Sequence, residues 1–555
     1  MTMWKNTRGL LLALFTIFLI SCEKNEITNA YYFHPKNGDD SNLGTSPEHA
    51  FQSLEQLQHI SLNPGDKVYL AAGEKFETPL EFKGVSGSKT QPIIVSSYPE
   101  TSQEKASIST EGFQQAMLIE NSSFITIENL SITAKAHPDP SLNRGDMRCG
   151  VLVQATKAES VEHVYLSNLE IQDVFFEKEG FSRPKEEVNT ANGTQAYGWG
   201  IRVINNTEGA EISDLKIEHS TVQNVAHTGI KLTSRLENGL HGIKNFEIHN
   251  NKVLQTGGPG IQMSGVREGY IYKNEVDQSG SNDDSRKWGR GSGLWTWGSS
   301  DILIEHNSFT NANGPGDSAG AHIDFNCNNV VLQYNFSANN AGGFCEILGN
   351  NYNCAYRYNI SINDGHRIKG EDGAFQEGKI LWLSGYAGNN KPQSGPFNSY
   401  VYNNTIVVGK DIIPKIAIHR KAKGVLIANN IFHFENPAEI VKGDQYNPAT
   451  DGDWLADNVV FSNNLFLTEE TWPEDFPIQD EHPQFGNADF KRIYGENLQD
   501  YFPKNKDLIK DKGIEIQHLP LDSIGLIYGL QLKQDILGNP IEGFPDLGAI
   551  NVDIN

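Results

Sequence analysis

From about residue 120 onward, apolar and polar positions alternate in short bursts. Each burst carries an apolar residue, any residue, then an Asn or His, with another apolar or β-branched residue two positions later. It reads Ile127-Glu128-Asn129, Leu166-Ser167-Asn168, Ile217-Glu218-His219, Ile248-His249-Asn250, Ile304-Glu305-His306, Val401-Tyr402-Asn403, Ile427-Ala428-Asn429 and Phe461-Ser462-Asn463. Looser copies start at Ile271, Leu332 and Tyr356. Self-similarity at this spacing, with a period of two inside each copy, predicts a solenoid of short strands and excludes a helical one. A coil of roughly 23 residues with three brief strands and polar Asn at its turns matches an all-β parallel β-helix.

A second element recurs between the first, a glycine opening an alternating strand: Gly150, Gly200, Gly229, Gly260, Gly293, Gly320 and, less regularly, Gly343. The distance from burst to glycine varies, so several coils carry insertions at one corner, where loops stack on one side. If the residue after each glycine points inward, the next points out. The outward column then reads Leu152, Arg202, Lys231, Gln262, Trp295 and His322, and Glu346 extends it by one coil. A second column reads Gln154, Ile204, Thr233, Ser264, Trp297 and Asp324.

Composition supports a folded, turn-rich chain. The 555 residues include 53 Gly, 38% hydrophobic and 21% charged residues. A net charge of −24 argues against nucleic acid as a partner. Near the start, Lys5 and Arg8 precede an apolar run from Leu10 to Ile20, which meets Ser21-Cys22. As a helix the run reaches ~16 Å, too short to span a bilayer, and it reads as a lipoprotein export signal with Cys22 as the lipidated residue. The predicted organisation is a signal peptide over 1–21, an N-terminal cap and first coils over 22–120, the β-helix with its groove over 121–470, and a closing segment over 471–555. A monomer on the outer membrane, held only by its lipid, is the expected form. Cys149, Cys327, Cys345 and Cys354 are too few for a disulfide framework. They read as buried small residues, with Cys327 and either Cys345 or Cys354 as the pair best placed to oxidise.

The repeat resembles the right-handed parallel β-helix proteins of bacterial polysaccharide degradation, the pectate-lyase-like superfamily. The opening Tyr31-Tyr32-Phe33-His34-Pro35 and Gly44-Thr45-Ser46-Pro47, with a short cap helix carrying Phe51, Leu54 and Leu57 inward, is similar to such proteins, as is the ending around Asp535–Asn539 and Pro545–Ala549.

Two tryptophans in one outward strand suit stacked sugars. The run Asp283-Asp284-Ser285-Arg286-Lys287-Trp288-Gly289-Arg290, with Arg202 and Lys231, reads as a positive surface for an anionic poly- or oligosaccharide. The leading expectation is therefore β-elimination on a uronate, by a polysaccharide lyase or an oligosaccharide dehydratase. Lys231 or His322 would be the base, with His227 the other acid/base candidate. Arg202 and Arg290 would hold the carboxylate, and Asp324 would orient His322. Arg286, Gln262, Trp295, Trp297 and Glu346 would line the substrate. Lyases of this architecture often hold calcium in clustered carboxylates. The columns contain no dense Asp cluster, which assigns no cofactor and leaves calcium open.

The alternative is glycoside hydrolysis by two carboxyl groups, with Asp324, Glu346 and Asp317 the nearest candidates. A third reading is a glycan-binding lipoprotein without catalysis. The polygalacturonase pattern is not met: Gly365-His366-Arg367-Ile368-Lys369 resembles fragments of it, but Asn-Thr-Asp is absent. His366, Arg367 and Lys369 remain groove candidates.

Overall fold

The structure, a computed structural model, describes residues 28–191, 193–235, 241–441, 456, 458–472, 476 and 478–552. The export signal and Cys22 lie outside the described residues. Three parallel sheets run the length of the molecule: face one with 14 strands from Ala30–Phe33 to Val459–Ser462, face two with 14 from Lys75–Phe76 to Gln484–Phe485, and face three with 12 from Leu80–Lys83 to Glu439–Ile440. The chain visits the faces in turn, so each strand pairs with its equivalent one coil on. This is a parallel β-helix, and its interior is a continuous apolar stack from Phe33 to Phe476.

The recurrent Asn/His bursts are the strands of face one and their exits. Asn129, Asn168, His219, Asn250, His306, Asn403, Asn429 and Asn463 all sit in the left-handed region, with φ between 50° and 62°. There the chain bends from face one to face two, and Asn tolerates that conformation because its short polar side chain bonds locally. The residue after the bend forms a buried ladder. The Nδ2 groups of Asn251, Asn274, Asn307, Asn335, Asn359, Asn404 and Asn430 each donate at 2.9–3.0 Å to the Oδ1 of the next, ending at Asn464. Each amide also closes backbone groups of neighbouring coils. Asn335→Ala would leave the Asn307 N–H without its acceptor, remove the amide donor from the Ile304 carbonyl and take one of three acceptors from Asn307 Nδ2. At ~1–3 kcal/mol for each unsatisfied buried group, the expected result is a clear fall in the thermal unfolding midpoint, read by circular dichroism.

The glycine-led strands are face three. A Cβ on Gly200 would lie 2.4 Å from the Gly229 carbonyl oxygen, and one on Gly293 2.4 Å from that of Gly320. Rungs here approach too closely for any side chain. The predicted cap helix is instead two 3-10 turns, Pro47–His49 and Leu54–His59. Ser46 makes no side-chain cap bond, while Leu54 and Leu57 are buried as expected. The four described cysteines are free and buried, with no disulfide among them. The chain's last part runs back along the outside. Ile516, Leu519 and Leu526 cover Tyr358, Tyr400 and Tyr402, and the Tyr402 hydroxyl donates to the Leu530 carbonyl at 2.6 Å.

The insertions lie between faces two and three: residues 175–197, 278–293, 311–320 and 363–378. They stack along one edge of face three. A further excursion, 384–396, returns from face three to face one. Between these edges lies the site.

Candidate active site

The outward columns have the expected register. Leu152, Arg202, Lys231, Gln262, Trp295 and His322 are successive partners across face three, and Glu346 continues the column one rung beyond His322. What the loops do with that column divides it in two.

The first half is covered. Residues 175–197 fold over Arg202 and Lys231, with Trp199, Trp288, Phe175 and Tyr197 in one apolar cluster. His227 is wholly buried, its ring sandwiched between Trp199 at 4.0 Å and Trp288 at 4.4 Å. Lys231 Nζ lies 4.8 Å over the Trp199 ring. Burial, then the neighbouring Arg202 and Arg235, push its amine well below the usual lysine range. The Arg202 guanidinium stacks on Trp199 at 4.3 Å and donates to Gln195 Oε1 at 2.5 Å. These three residues are packed beneath a loop and do not line the cavity described below.

Nor does the Asp283–Arg290 run present a free basic surface. Lys287 pairs with Asp283 at 2.7 Å, and Arg286 with Asp284 at 2.6 Å while lying 3.8 Å over the Phe175 ring. Acids of the same run neutralise Arg286 and Lys287, and Arg290 pairs with Asp317. Trp288 donates to the Glu187 carbonyl at 3.0 Å and is part of the packing.

The second half lines a cavity of about 320 Å³. Gln262, Trp295, His322 and Glu346 face it from one column, and Ser264, Trp297 and Asp324 from the other. Arg290 and Asp317 join from the stacked insertions, Ala191 from the 175–197 loop, and Tyr386 and Asn389 from the 384–396 excursion. Trp297, Phe325 and Tyr386 form an edge-to-face aromatic chain at 5.7 and 5.1 Å. The two tryptophans differ. Trp297 is half-buried, with an indole N–H that has no hydrogen-bond partner among the described residues. Trp295 is buried, and its Nε1 donates to Asp324 Oδ2 at 2.6 Å. It is a positioning group as much as a wall.

Three carboxyl groups meet here in different states. Asp317 lies on a turn whose residues 317 and 318 are both left-handed, at φ 49° and 64°, an unfavourable conformation for non-glycine residues. The turn is tied down by Gln376 Oε1, which accepts from the Asp317 N–H at 2.8 Å, and by Arg367, which donates to the Asp317 carbonyl at 2.9 Å. Arg290 Nε donates to Asp317 Oδ2 at 2.7 Å, while its Nη1 holds the Val188 and Thr190 carbonyls at 3.0 and 3.1 Å. Burial alone would raise the Asp317 carboxyl; the Arg290 charge and hydrogen bond outweigh it and hold the group below the ordinary range.

Asp324 is the opposite case. Burial pushes its carboxyl up to about 7, helped by the Asp317 charge and only partly offset by the N–H groups of Phe325 and Trp295. Glu346 is likewise raised, by burial first and by Asp317 next, against the opposing charges of Lys379 and Arg367. His322 Nδ1 is 2.9 Å from Ser292 Oγ, and burial pushes its imidazole down to about 4, so the ring is neutral at pH 7. Asp324 does not hold His322; it is held by Trp295.

Arg367 supports the site from behind, and His366 and Lys369 are exposed outside the cavity. Arg235, Phe325, Tyr386 and Asn389 line the cavity without having been anticipated. Arg235 alone left a trace, being two positions past Thr233 and so still outward on a period of two. The loop residues carried no periodic signal.

No family model matches the chain. Among curated proteins it is 25% identical to a lacto-N-biosidase of Bifidobacterium longum subsp. longum, over 94% of this chain and 36% of that protein. The chain thus spans about a third of the relative's length. Among solved structures, the GH136 lacto-N-biosidase of Eubacterium ramulus superposes with a TM-score of 0.52 at 19% identity, covering 82% of this chain and 68% of that one. Both are named lacto-N-biosidase, and that of Eubacterium ramulus is assigned to GH136. This overturns the expectation of a uronate lyase or dehydratase, which rested on a basic wall that the loops bury and neutralise.

Proposed function

We propose that this chain is a glycoside hydrolase of the lacto-N-biosidase kind, releasing a disaccharide from the end of an oligosaccharide. The observation that carries the reading is the split between two buried carboxyls of one cavity, Asp317 held ionised by Arg290 and Asp324 held protonated by burial. Glycoside hydrolysis uses such a pair, one acid and one carboxylate, on either side of the scissile bond. Asp324 protonates the departing glycosidic oxygen. Asp317 faces the developing positive charge at the anomeric carbon as the anionic partner; water supplies the oxygen that bonds to that carbon, and its released proton restores Asp324. Glu346, neutral, donates a hydrogen bond to the sugar, and Trp297 offers it a ring face.

Attack at a chain end is supported by the 175–197 loop. It reaches the cavity through Ala191 and is bound to Arg290, so the groove along face three is obstructed on that side. The 25% identity to a lacto-N-biosidase supports the disaccharide as the leaving unit.

The pH dependence of kcat/KM on an oligosaccharide ending in lacto-N-biose, whose leaving group needs the proton, tests this. Activity requires Asp324 protonated and Asp317 ionised. The expected profile is a bell whose alkaline limb falls above about pH 7, where Asp324 loses its proton. The acid limb lies below the ordinary carboxylate range, where Asp317 gains one. An alkaline limb that persists unchanged in Asp324→Asn would sink the assignment.

A further inference from the structure

A second constellation lies on the outer surface of face one, away from the cavity on face three. Glu218 and His249 are direct cross-strand partners, His219 follows Glu218 at the bend, and Glu247 precedes His249 by two residues on the same face. His249 Nε2 is 3.0 Å from Glu218 Oε2 and 3.7 Å from Glu247 Oε2. One donor atom each of Glu218, His219 and His249 fall within 4.8 Å of one another. We propose that these four side chains form a zinc-class divalent transition-metal site.

The geometry is close to what such an ion requires. Zinc–nitrogen and zinc–oxygen bonds of ~2.0–2.2 Å place tetrahedral donors about 3.4 Å apart, and the two measured His249–Glu separations bracket that value. The His219 ring is exposed and lies 5.8 Å from the His249 ring, so a side-chain rotation brings it to the fourth position. Two imidazoles and two carboxylates suit zinc and its neighbours better than calcium or magnesium, which prefer all-oxygen shells.

The ligands are held on paired strands. His249 is buried, stacked on Tyr272 at 4.5 Å, with its Nδ1 2.9 Å from Asn250 Nδ2; turning the Asn250 amide over would let its oxygen accept from Nδ1–H when Nε2 binds metal. The Tyr272 hydroxyl donates to Glu247 Oε2 at 3.2 Å. One cation of this face, Lys216, stands opposite Glu247 on the neighbouring strand, and its Nζ is drawn over the Tyr165 ring at 4.9 Å.

The test is calorimetric titration of the tag-free chain, stripped with chelator, with zinc chloride, repeated with cobalt chloride to read the visible bands of tetrahedral Co(II). One equivalent should bind, with tetrahedral bands. Glu218→Gln and His219→Asn should each weaken binding at least tenfold. Asn fits the left-handed bend, as it does at positions 129, 168 and 250, so His219→Asn preserves the fold even if a change at His249 does not. Hydrolysis at the face-three cavity should be unchanged. Absence of stoichiometric binding, or binding that survives both substitutions, would overturn the proposal.

Discussion

Asp324→Asn is expected to lower kcat on an oligosaccharide by ~10²–10⁴-fold, the usual worth of a general acid. Much less should be lost on an aryl glycoside whose leaving group needs no proton. Asn keeps the shape of the carboxyl, but its single carbonyl oxygen accepts from only one of the two N–H groups, Phe325 or Trp295, that bind separate oxygens of Asp324. An unchanged circular dichroism spectrum, together with the difference between the two substrates, assigns the loss to the proton. Asp317→Asn should lower kcat on the order of 10⁴-fold on both substrates, because the anionic partner is needed whatever leaves. Steady-state kinetics on the two substrates separates the roles. Equal losses for both variants on both substrates would contradict them.

The second large effect is expected at Arg290, which touches no reacting atom in this scheme but holds Asp317. In Arg290→Met, a buried carboxylate loses its ion-pair partner. Breaking such a pair costs about 3–5 kcal/mol of stability, so the unfolding midpoint should fall. The pH profile carries the more specific signal. Without Arg290, burial is opposed only by the weaker pull of His322 and Arg367, and the Asp317 pKa rises. The acid limb of kcat/KM should then move to higher pH, with a loss on the order of 10²-fold near pH 6. Arg290→Lys should restore part of both. A variant that loses activity with its acid limb unmoved would show that Arg290 shapes the loop without setting the charge of Asp317.

The architecture was legible because it is periodic. Each coil repeats the inward Ile/Val/Leu and the outward residue beside it, so the columns from Leu152 to Glu346 follow from alternation. The Asn ladder was half visible. Polar Asn at the turns was expected, and Asn168 Nδ2 does donate to Asn129 Oδ1 at 2.5 Å, but the longer buried ladder runs through the next position, Asn251 to Asn464, because the residue before it makes the left-handed bend.

The site was less legible for one physical cause. Periodicity says which way Arg202, Lys231 and His227 point, and nothing about what lies on top of them. The 175–197 loop turns an outward column into an interior, and Asp283 and Asp284 cancel Lys287 and Arg286 of their own loop. Asp317 shows the converse. It stands in an irregular turn fixed by Gln376 and Arg367, which are 59 and 50 residues away in sequence. No local pattern announces that a charge set by Arg290 will face a neutral Asp324.

The most direct measurement incubates the chain with a tetrasaccharide ending in lacto-N-biose and records reducing ends, products by mass spectrometry and ultraviolet absorbance in one reaction. The expected result is a released disaccharide with one new reducing end per cleavage and no rise in absorbance. An unsaturated, absorbing product, or an intact tetrasaccharide under conditions where the chain is folded, would contradict hydrolysis by the Asp317–Asp324 pair.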